Sequence, residues 1–181
     1  MFKNNLPKMK VKKKLPILII PNSPSSPRVY DHEGIFNCHM NEIIPNLFLG
    51  NMYYSSDDLI NNGIYHIINL SCDENNFSNQ NSKFTFYNKK LNDTPNQNII
   101  IHFEELFNII EKILIQNKKI LIHCEAGISR SSTIVIAYLM KTKKMGYEKS
   151  LEFVREKRPI VDPNLGFIVQ LMDYEKKIFK K

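Results

Sequence analysis

The segment from residue 120 to residue 143 constrains the fold of this chain more than any other. Ile120, Leu121 and Ile122 form a short apolar run that predicts a strand, and a polar loop containing Gly127 follows it. Residues 131–143 are apolar on several sides, which is typical of a buried helix. A strand, a loop and a helix in immediate succession predict an α/β domain.

Hydrophobic periodicity extends this alternation of strands and helices over the rest of the body. We expect strands at 43–50, 64–70 and 84–87, and helices at 56–62, 99–116, 148–157 and 167–179. Ser55 or Ser56 is expected to cap the first helix and Gly63 to end it, and the polar residues 73–82 are expected to form a loop. The predicted fold is α/β, a single domain with a central mixed, mostly parallel sheet flanked by helices.

Charge and composition divide the 181 residues into an arm and a body. Residues 1–40 contain seven basic and two acidic residues, so five of the chain's seven net positive charges lie in this stretch. Several prolines and serines interrupt it and no periodicity is sustained, so we expect a flexible basic arm at 1–40 and the folded domain at 41–181. Because the body is almost neutral, the charge gives no reason to expect nucleic-acid binding.

Three further classes are disfavoured by simple counts. No apolar run approaches the ~20 residues of a membrane span. The three cysteines are odd in number and irregularly spaced, so neither a disulfide framework nor a structural zinc site is expected, and a reducing compartment, cytoplasmic or nuclear, is favoured.

The loop between the central strand and helix has the chemistry of an anion site. At a helix start several backbone N–H groups lack intrahelical partners, and the helix dipole is positive there. Gly127 permits backbone geometry that is costly for other residues, and Arg130 adds a planar fork suited to phosphate oxygens. Such a field can lower the pKa of a cysteine thiol from about 8.5 to roughly 3.5–7.5, so Cys124 is a candidate nucleophile for phosphoryl transfer.

The run His123-Cys124-x-x-Gly127-x-x-Arg130-Ser131 resembles the signature of the cysteine-dependent protein phosphatases. The residues that flank it resemble the small atypical members of the dual-specificity branch, and the resemblance extends over about residues 41–179. Those flanking residues are 44–50, 137–140, 158–159, 163–167 and 170–171.

This resemblance implies a metal-independent, cofactor-free phosphomonoester hydrolase acting on phosphotyrosine and phosphoserine or phosphothreonine of proteins. It implies that Cys124 attacks phosphorus to form a phosphocysteine and that Arg130 holds the phosphate oxygens, together with the loop residues Glu125, Ala126, Gly127, Ile128 and Ser129. His123 would orient the loop, while Ser131 would either hydrogen-bond the departing thiolate or merely cap the helix. Two alternatives stay open: a non-catalytic phosphate-binding module, and the same chemistry on a lipid, sugar or RNA phosphate.

Asp93 is the candidate general acid. It lies in Leu91-Asn92-Asp93-Thr94-Pro95, upstream of the long helix, where the family carries its mobile acid loop. From the residues alone an ordinary Asx turn would explain it equally well. Asn92 stands where many relatives have a second carboxylate, so Asp93 has no evident substitute.

Other side chains carry secondary hypotheses. Some relatives pair their nucleophile with a second cysteine under oxidation, and Cys72 is the candidate here, although an incidental thiol is the alternative. Lys89, Lys90 and Arg158 either meet a second phosphate or acidic residues, or are solvated surface charges. Lys12-Lys13-Lys14 followed by Leu15 and Ile17 resembles docking peptides for mitogen-activated protein kinases. A nuclear import signal, a contact with an anionic surface and a solubilising tail are the alternatives.

Overall fold

The computed structural model describes residues 39–72 and 83–180 of the chain. The predicted basic arm, the predicted loop at 73–82 and Cys38 therefore lie outside the described residues, except for the last residues of the arm. The strands are β1 (Met40–Ile44), β2 (Leu47–Gly50), β3 (Ile64–Asn69), β4 (Thr85–Asn88) and β5 (Lys119–His123). The helices are α1 (Ser56–Asn62), α2 (Phe103–Ile115), α3 (Arg130–Lys143), α4 (Tyr147–Lys157) and α5 (Leu165–Ile178).

Most predicted elements are confirmed within one or two residues, and two differ in an informative way. The single strand predicted at 43–50 is a hairpin, because Pro45 and Asn46 form a turn in which Asn46 adopts a left-handed φ of 69°. The long predicted helix at 99–116 opens with a single 3₁₀ turn, Ile100–His102, before α2 begins. The cap of α1 is Ser55, whose hydroxyl accepts the Asp58 N–H, and Gly63 ends the helix at φ 69°.

The five described strands form one mixed sheet in the order β1-β2-β5-β3-β4. Only β1 is antiparallel to its neighbour, and the other three pairings are parallel. Gly50 at the end of β2 and Asn69 at the end of β3 both lie opposite His123, the last residue of β5. Three parallel strands thus end side by side, at the edge where ligands bind in α/β sheets.

Alternation along β5 divides the core between the two faces of the sheet. Ile120 and Ile122 belong to the large apolar cluster that the sheet shares with α2, α3 and α5, whereas Leu121 belongs to a smaller cluster with Leu59 of α1. Eleven of the fourteen residues of α3 are buried, so this helix is central, as its apolar sequence predicts. Arg130, the first residue of α3, is itself buried and follows the loop that begins where β5 ends.

No helix in the described parts of the chain combines the length and the apolar character needed to cross a lipid bilayer.

Candidate active site

Cys124 directly follows β5 and is the residue about which the site is built. Its side chain is 1% exposed. The backbone N–H of Gly127 donates to Cys124 Sγ over 3.3 Å, and Ser131 Oγ lies 3.2 Å from the same sulfur. An amide and a hydroxyl directed at one sulfur are the donors that would stabilise a sulfur anion.

The carbonyl oxygens of the loop are held from outside. Those of residues 125 and 128 accept the backbone N–H groups of Met52 and Asp162, each over 3.0 Å. Those of residues 126 and 127 accept Arg158 Nη2 over 3.2 Å and Arg158 Nε over 2.9 Å. In a trans peptide the C=O of one residue and the N–H of the next residue point in opposite directions. These four contacts therefore direct the N–H groups of residues 126–129 away from Met52, Asp162 and Arg158. The Gly127 N–H is the one that reaches Cys124 Sγ.

Gly127 is required by this geometry. Its φ is +69°, a conformation that L side chains rarely adopt, and a Cβ there would overlap the Gly50 carbonyl group and the Arg158 guanidinium. The loop therefore passes directly against the end of β2.

Arg158 has a role that differs from either sequence-based hypothesis. It is 2% exposed, and in addition to the two loop carbonyls its Nη1 donates to Asn41 Oδ1 over 2.8 Å. Arg158 therefore neither contacts a second phosphate nor lies at the solvated surface. A fully buried guanidinium needs several hydrogen-bond acceptors, and Arg158 has two of them in the loop. Lys89, the other hypothetical phosphate contact, pairs with Glu105 over 2.8 Å at the surface.

Arg130 begins α3 and extends its guanidinium between residues 124–129, which we call the phosphate loop, and the segment that carries Asp93. Nη1 donates to the Leu91 carbonyl oxygen over 3.1 Å, and Nη2 lies 3.5 Å from the Glu125 carboxylate at the rim. Nε is 3.4 Å from Asp93 Oδ2 but makes no hydrogen bond among the described residues, although it is buried. An oxyanion bound at the loop would accept this N–H in a charge-assisted hydrogen bond.

Asp93 is brought to this loop by two residues whose contacts sequence reasoning missed. Its Oδ1 accepts the Ser129 hydroxyl over 2.6 Å and Asn164 Nδ2 over 2.8 Å. In the sequence Asn164 belongs to the segment that resembles the end of the family domain, and nothing there indicates a contact with Asp93. The sequence signal at this position is that of a helix N-cap, which Asn164 also is, since its Oδ1 accepts the Phe167 N–H over 3.0 Å.

His123 is completely buried at the end of β5. Its Nε2 lies 3.1 Å from Tyr54 Oη and its Nδ1 lies 3.2 Å from the Cys124 carbonyl oxygen. Burial lowers the pKa of His123 to about 4, so the imidazole is neutral at pH 7. A neutral ring that donates from Nδ1 and accepts the Tyr54 hydroxyl fits both contacts, an arrangement suited to orienting the loop.

Ser131 does not cap α3, because Ser129 occupies that position and Ser131 is directed at the sulfur.

Cys72 is exposed, and its thiol donates to the Leu91 carbonyl oxygen over 3.4 Å and to Asn92 Oδ1 over 3.5 Å. It therefore lies beside the Asp93 segment as a free thiol. Within residues 39–72 and 83–180, no group of three or more His, Cys, Asp or Glu side chains is arranged to hold a metal ion.

Three features together define the class of cysteine-dependent phosphatase folds. They are parallel strands that end at a buried cysteine, a loop of inward N–H groups and an arginine at the first helical residue. The chain belongs within it to the family described as dual specificity phosphatase, catalytic domain, whose family model matches residues 47–177. The predicted resemblance and the predicted fold class are thereby confirmed.

The comparison with individual proteins agrees. The chain is 34% identical over 165 residues to dual specificity protein phosphatase 5 of Rattus norvegicus, covering 90% of this chain and 40% of that protein. It is 38% identical over 152 residues to dual specificity protein phosphatase 16 of Homo sapiens, covering 80% of this chain and 22% of that protein. The chain thus spans well under half the length of these relatives.

Among solved structures, a human tyrosine phosphatase-like serine/threonine/tyrosine-interacting protein is 36% identical with a TM-score of 0.67. The match covers 76% of this chain and 96% of that chain.

Proposed function

We propose that this domain hydrolyses phosphomonoesters of proteins, both phosphotyrosine and phosphoserine or phosphothreonine, through a phosphocysteine intermediate. The observation that carries the proposal is the convergence on Cys124 Sγ of the Gly127 N–H and the Ser131 hydroxyl, beside a buried Arg130 Nε that makes no hydrogen bond with the part of the chain that the structure describes. Family membership and the names of the relatives support it.

In the proposed first step, Cys124 Sγ attacks phosphorus while the loop N–H groups and Arg130 hold the phosphate oxygens, where charge develops in the transition state. The bond to the leaving oxygen breaks, and Asp93 gives that oxygen its proton. In the second step Asp93 takes a proton from water, whose oxygen attacks phosphorus. The S–P bond breaks, and the Ser131 hydroxyl stabilises the returning thiolate.

The direct test is turnover of 4-nitrophenyl phosphate in the presence of a metal chelator and a reductant. We expect metal-independent turnover that vanadate inhibits. Cys124→Ser should abolish turnover yet retain binding of a phosphopeptide, whereas Cys72→Ser, the matched change at the other described cysteine, should retain turnover. Turnover that survives in Cys124→Ser would refute the assignment of the nucleophile.

Protein rather than lipid substrates are favoured by the loop side chains. Glu125, Ala126 and Ile128 stand where lipid phosphatases of this superfamily often place lysines, and the Glu125 carboxylate lies beside Arg130 at the rim. A negative group at the mouth would repel a polyanionic headgroup more than a single phosphate. A panel of phosphopeptides, phosphoinositides, sugar phosphates and a 5′-phosphorylated RNA, compared by kcat/KM, tests this preference. Highest kcat/KM on a phosphoinositide, sugar phosphate or RNA would overturn it.

A non-catalytic module is the second candidate, and the name of the human tyrosine phosphatase-like interacting protein favours keeping it. This chain retains Cys124, Arg130 and Asp93 together. Tight phosphopeptide binding by the wild-type protein with no turnover of any ester would establish the module instead.

For partners and location we propose docking of a mitogen-activated protein kinase on Lys12-Lys13-Lys14 with Leu15 and Ile17, in the cytoplasm or the nucleus. The support is the basic and apolar pattern of that segment, which lies outside the described residues. Replacing the three lysines by alanine should abolish co-purification with the kinase; unchanged recovery would refute the docking role. Imaging of the tagged full chain tests the location.

A further inference from the structure

Three separate segments meet at the Asp93 carboxylate. Asp93 comes from the segment between β4 and the 3₁₀ turn, Ser129 from the phosphate loop, and Asn164 from the residue before α5. The Asn164 backbone N–H donates to Ser129 Oγ over 3.1 Å, and that hydroxyl donates to Asp93 Oδ1 over 2.6 Å. Asn164 Nδ2 donates to the same Oδ1 over 2.8 Å. Asp93 Oδ1 is thus occupied by two donors.

The orientation of the Asn164 amide is fixed by its second contact. Its Oδ1 accepts the Phe167 N–H in the first turn of α5, so its Nδ2 is the group that faces Asp93. A single side chain therefore caps the helix with its oxygen and holds the carboxylate with its nitrogen.

The same helix holds the Asp93 segment further along. Gly166 packs on the backbone of Pro95 so closely that a Cβ would overlap the Pro95 carbonyl oxygen. Gln170, one turn later, donates to the Gln97 carbonyl oxygen over 2.8 Å and accepts the Ile99 N–H over 2.8 Å. The segment that carries Asp93 is thereby fastened to α5 at several successive points.

We propose that Asn164, together with Ser129, is a positioning residue that orients Asp93 so that Oδ2 carries the transferred proton. This inference rests on the proposed function. With Oδ1 occupied by Asn164 and Ser129, Oδ2 is the oxygen that lies towards Arg130 Nε, at 3.4 Å. The proton leaves Oδ2 for the ester oxygen as the P–O bond breaks. In the second step Oδ2 regains a proton from the attacking water as the S–P bond breaks.

Two substitutions separate the donor function of Asn164 from its capping function. Asn164→Ser and Asn164→Asp both keep an oxygen that can accept the Phe167 N–H, since serine and aspartate are good N-cap residues. Both remove the Nδ2 donor, and the aspartate also sets a second carboxylate against Asp93.

The first readout is kcat/KM on aryl phosphates whose leaving groups range from 4-nitrophenolate to phenolate, because kcat/KM reports the first step, in which the ester oxygen leaves. An ester with a poor leaving group depends most on a well-placed acid, and general acid catalysis contributes about 10²–10⁴-fold. We expect Asn164→Ser to lower kcat/KM on phenyl phosphate about 10-fold or more while kcat/KM on 4-nitrophenyl phosphate changes much less, with a larger effect for Asn164→Asp. Equal losses on both esters, or no loss on either, would overturn the proposal.

The second readout does not require activity. Amide hydrogen exchange followed by mass spectrometry should be faster over residues 92–98 in Asn164→Ser than in the wild-type chain, while α5 keeps its protection. Unchanged exchange over 92–98 would overturn the proposed positioning even in an active enzyme. If the wild-type protein hydrolyses no aryl phosphate, the proposed function fails, the proton-transfer role fails with it, and the exchange result alone decides whether Asn164 holds the Asp93 segment.

Discussion

Acidification is expected to destabilise this domain through His123. The ring is completely buried between Tyr54 and the Cys124 carbonyl group, and burial lowers its pKa to about 4. In the unfolded chain the same imidazole would have a pKa of about 6.5. Between these two values the unfolded state binds a proton that the folded state does not, so the free energy of unfolding falls as the pH falls.

The magnitude follows from the two pKa values. A difference of about 2.5 units corresponds to about 3 kcal/mol, reached once the pH is below about 4. Between neutral pH and about pH 5 the loss is about 2 kcal/mol, and above about pH 7 His123 contributes no pH dependence. For a domain with a typical free energy of unfolding of about 5–15 kcal/mol, a loss of this size is readily measured.

The assay is urea denaturation at several pH values between about 5 and 7.5 for the wild-type chain, His123→Gln and His102→Gln. His123→Gln should be less stable at neutral pH but lose less stability on acidification, so the difference from the wild type narrows. His102, which is only half-buried, is the matched control and should retain most of the wild-type slope. If His123→Gln does not fold, NMR titration of the His123 ring in the wild type gives its pKa directly. A slope unchanged by His123→Gln, or a ring that titrates near 6.5, would refute the reasoning.

Three further predictions concern the loop and its supports. Gly127→Ala should lower kcat at least about 100-fold, measured with 4-nitrophenyl phosphate, because its Cβ overlaps the end of β2 and displaces the loop; near-normal turnover would contradict the required geometry. Arg158→Lys should lower the urea-derived free energy of unfolding by about 2–4 kcal/mol, since one ammonium cannot replace three directed contacts, whereas the exposed Arg155→Lys should change it by less than about 1 kcal/mol. Peroxide treatment should yield a Cys72–Cys124 disulfide detectable by peptide mass spectrometry; its absence, with Cys124 oxidised to sulfinic acid, would reject Cys72 as the redox partner.

The fold was predictable where local patterns and tertiary structure agree. The apolar run at 120–122 is buried throughout, and so are eleven of the fourteen residues of α3, so their continuous apolar character identifies them without reference to the rest of the chain. The spacing of Cys124, Gly127 and Arg130 could also be recognised in the sequence, because all three lie within seven consecutive residues. Their chemical roles stay predictions until the substitutions are measured.

The contacts that complete the site could not be predicted from the sequence, because they join residues far apart along the chain. Arg158 lies 31 residues from Gly127, and nothing in its neighbourhood distinguishes a buried arginine from a surface one. Asn164 has a sufficient local explanation as a helix cap, which hides its contact with Asp93, 71 residues away. The hairpin turn at Pro45 and Asn46 was missed because only these two residues separate the apolar runs on either side, although proline and asparagine are both turn residues.

The hydrogen bonds to the carbonyl oxygens of residues 125–128 have a consequence for how the sequence of such a domain can vary. An anion receptor made of main chain offers few side chains that substitution can alter at the point of contact. Its affinity for anions would instead change through substitutions of Arg158 and of the segments that contain Met52 and Asp162, which bind the carbonyl side of the loop. Such sequence changes, although remote from the ligand, would shift the affinity for every phosphoester in the same direction.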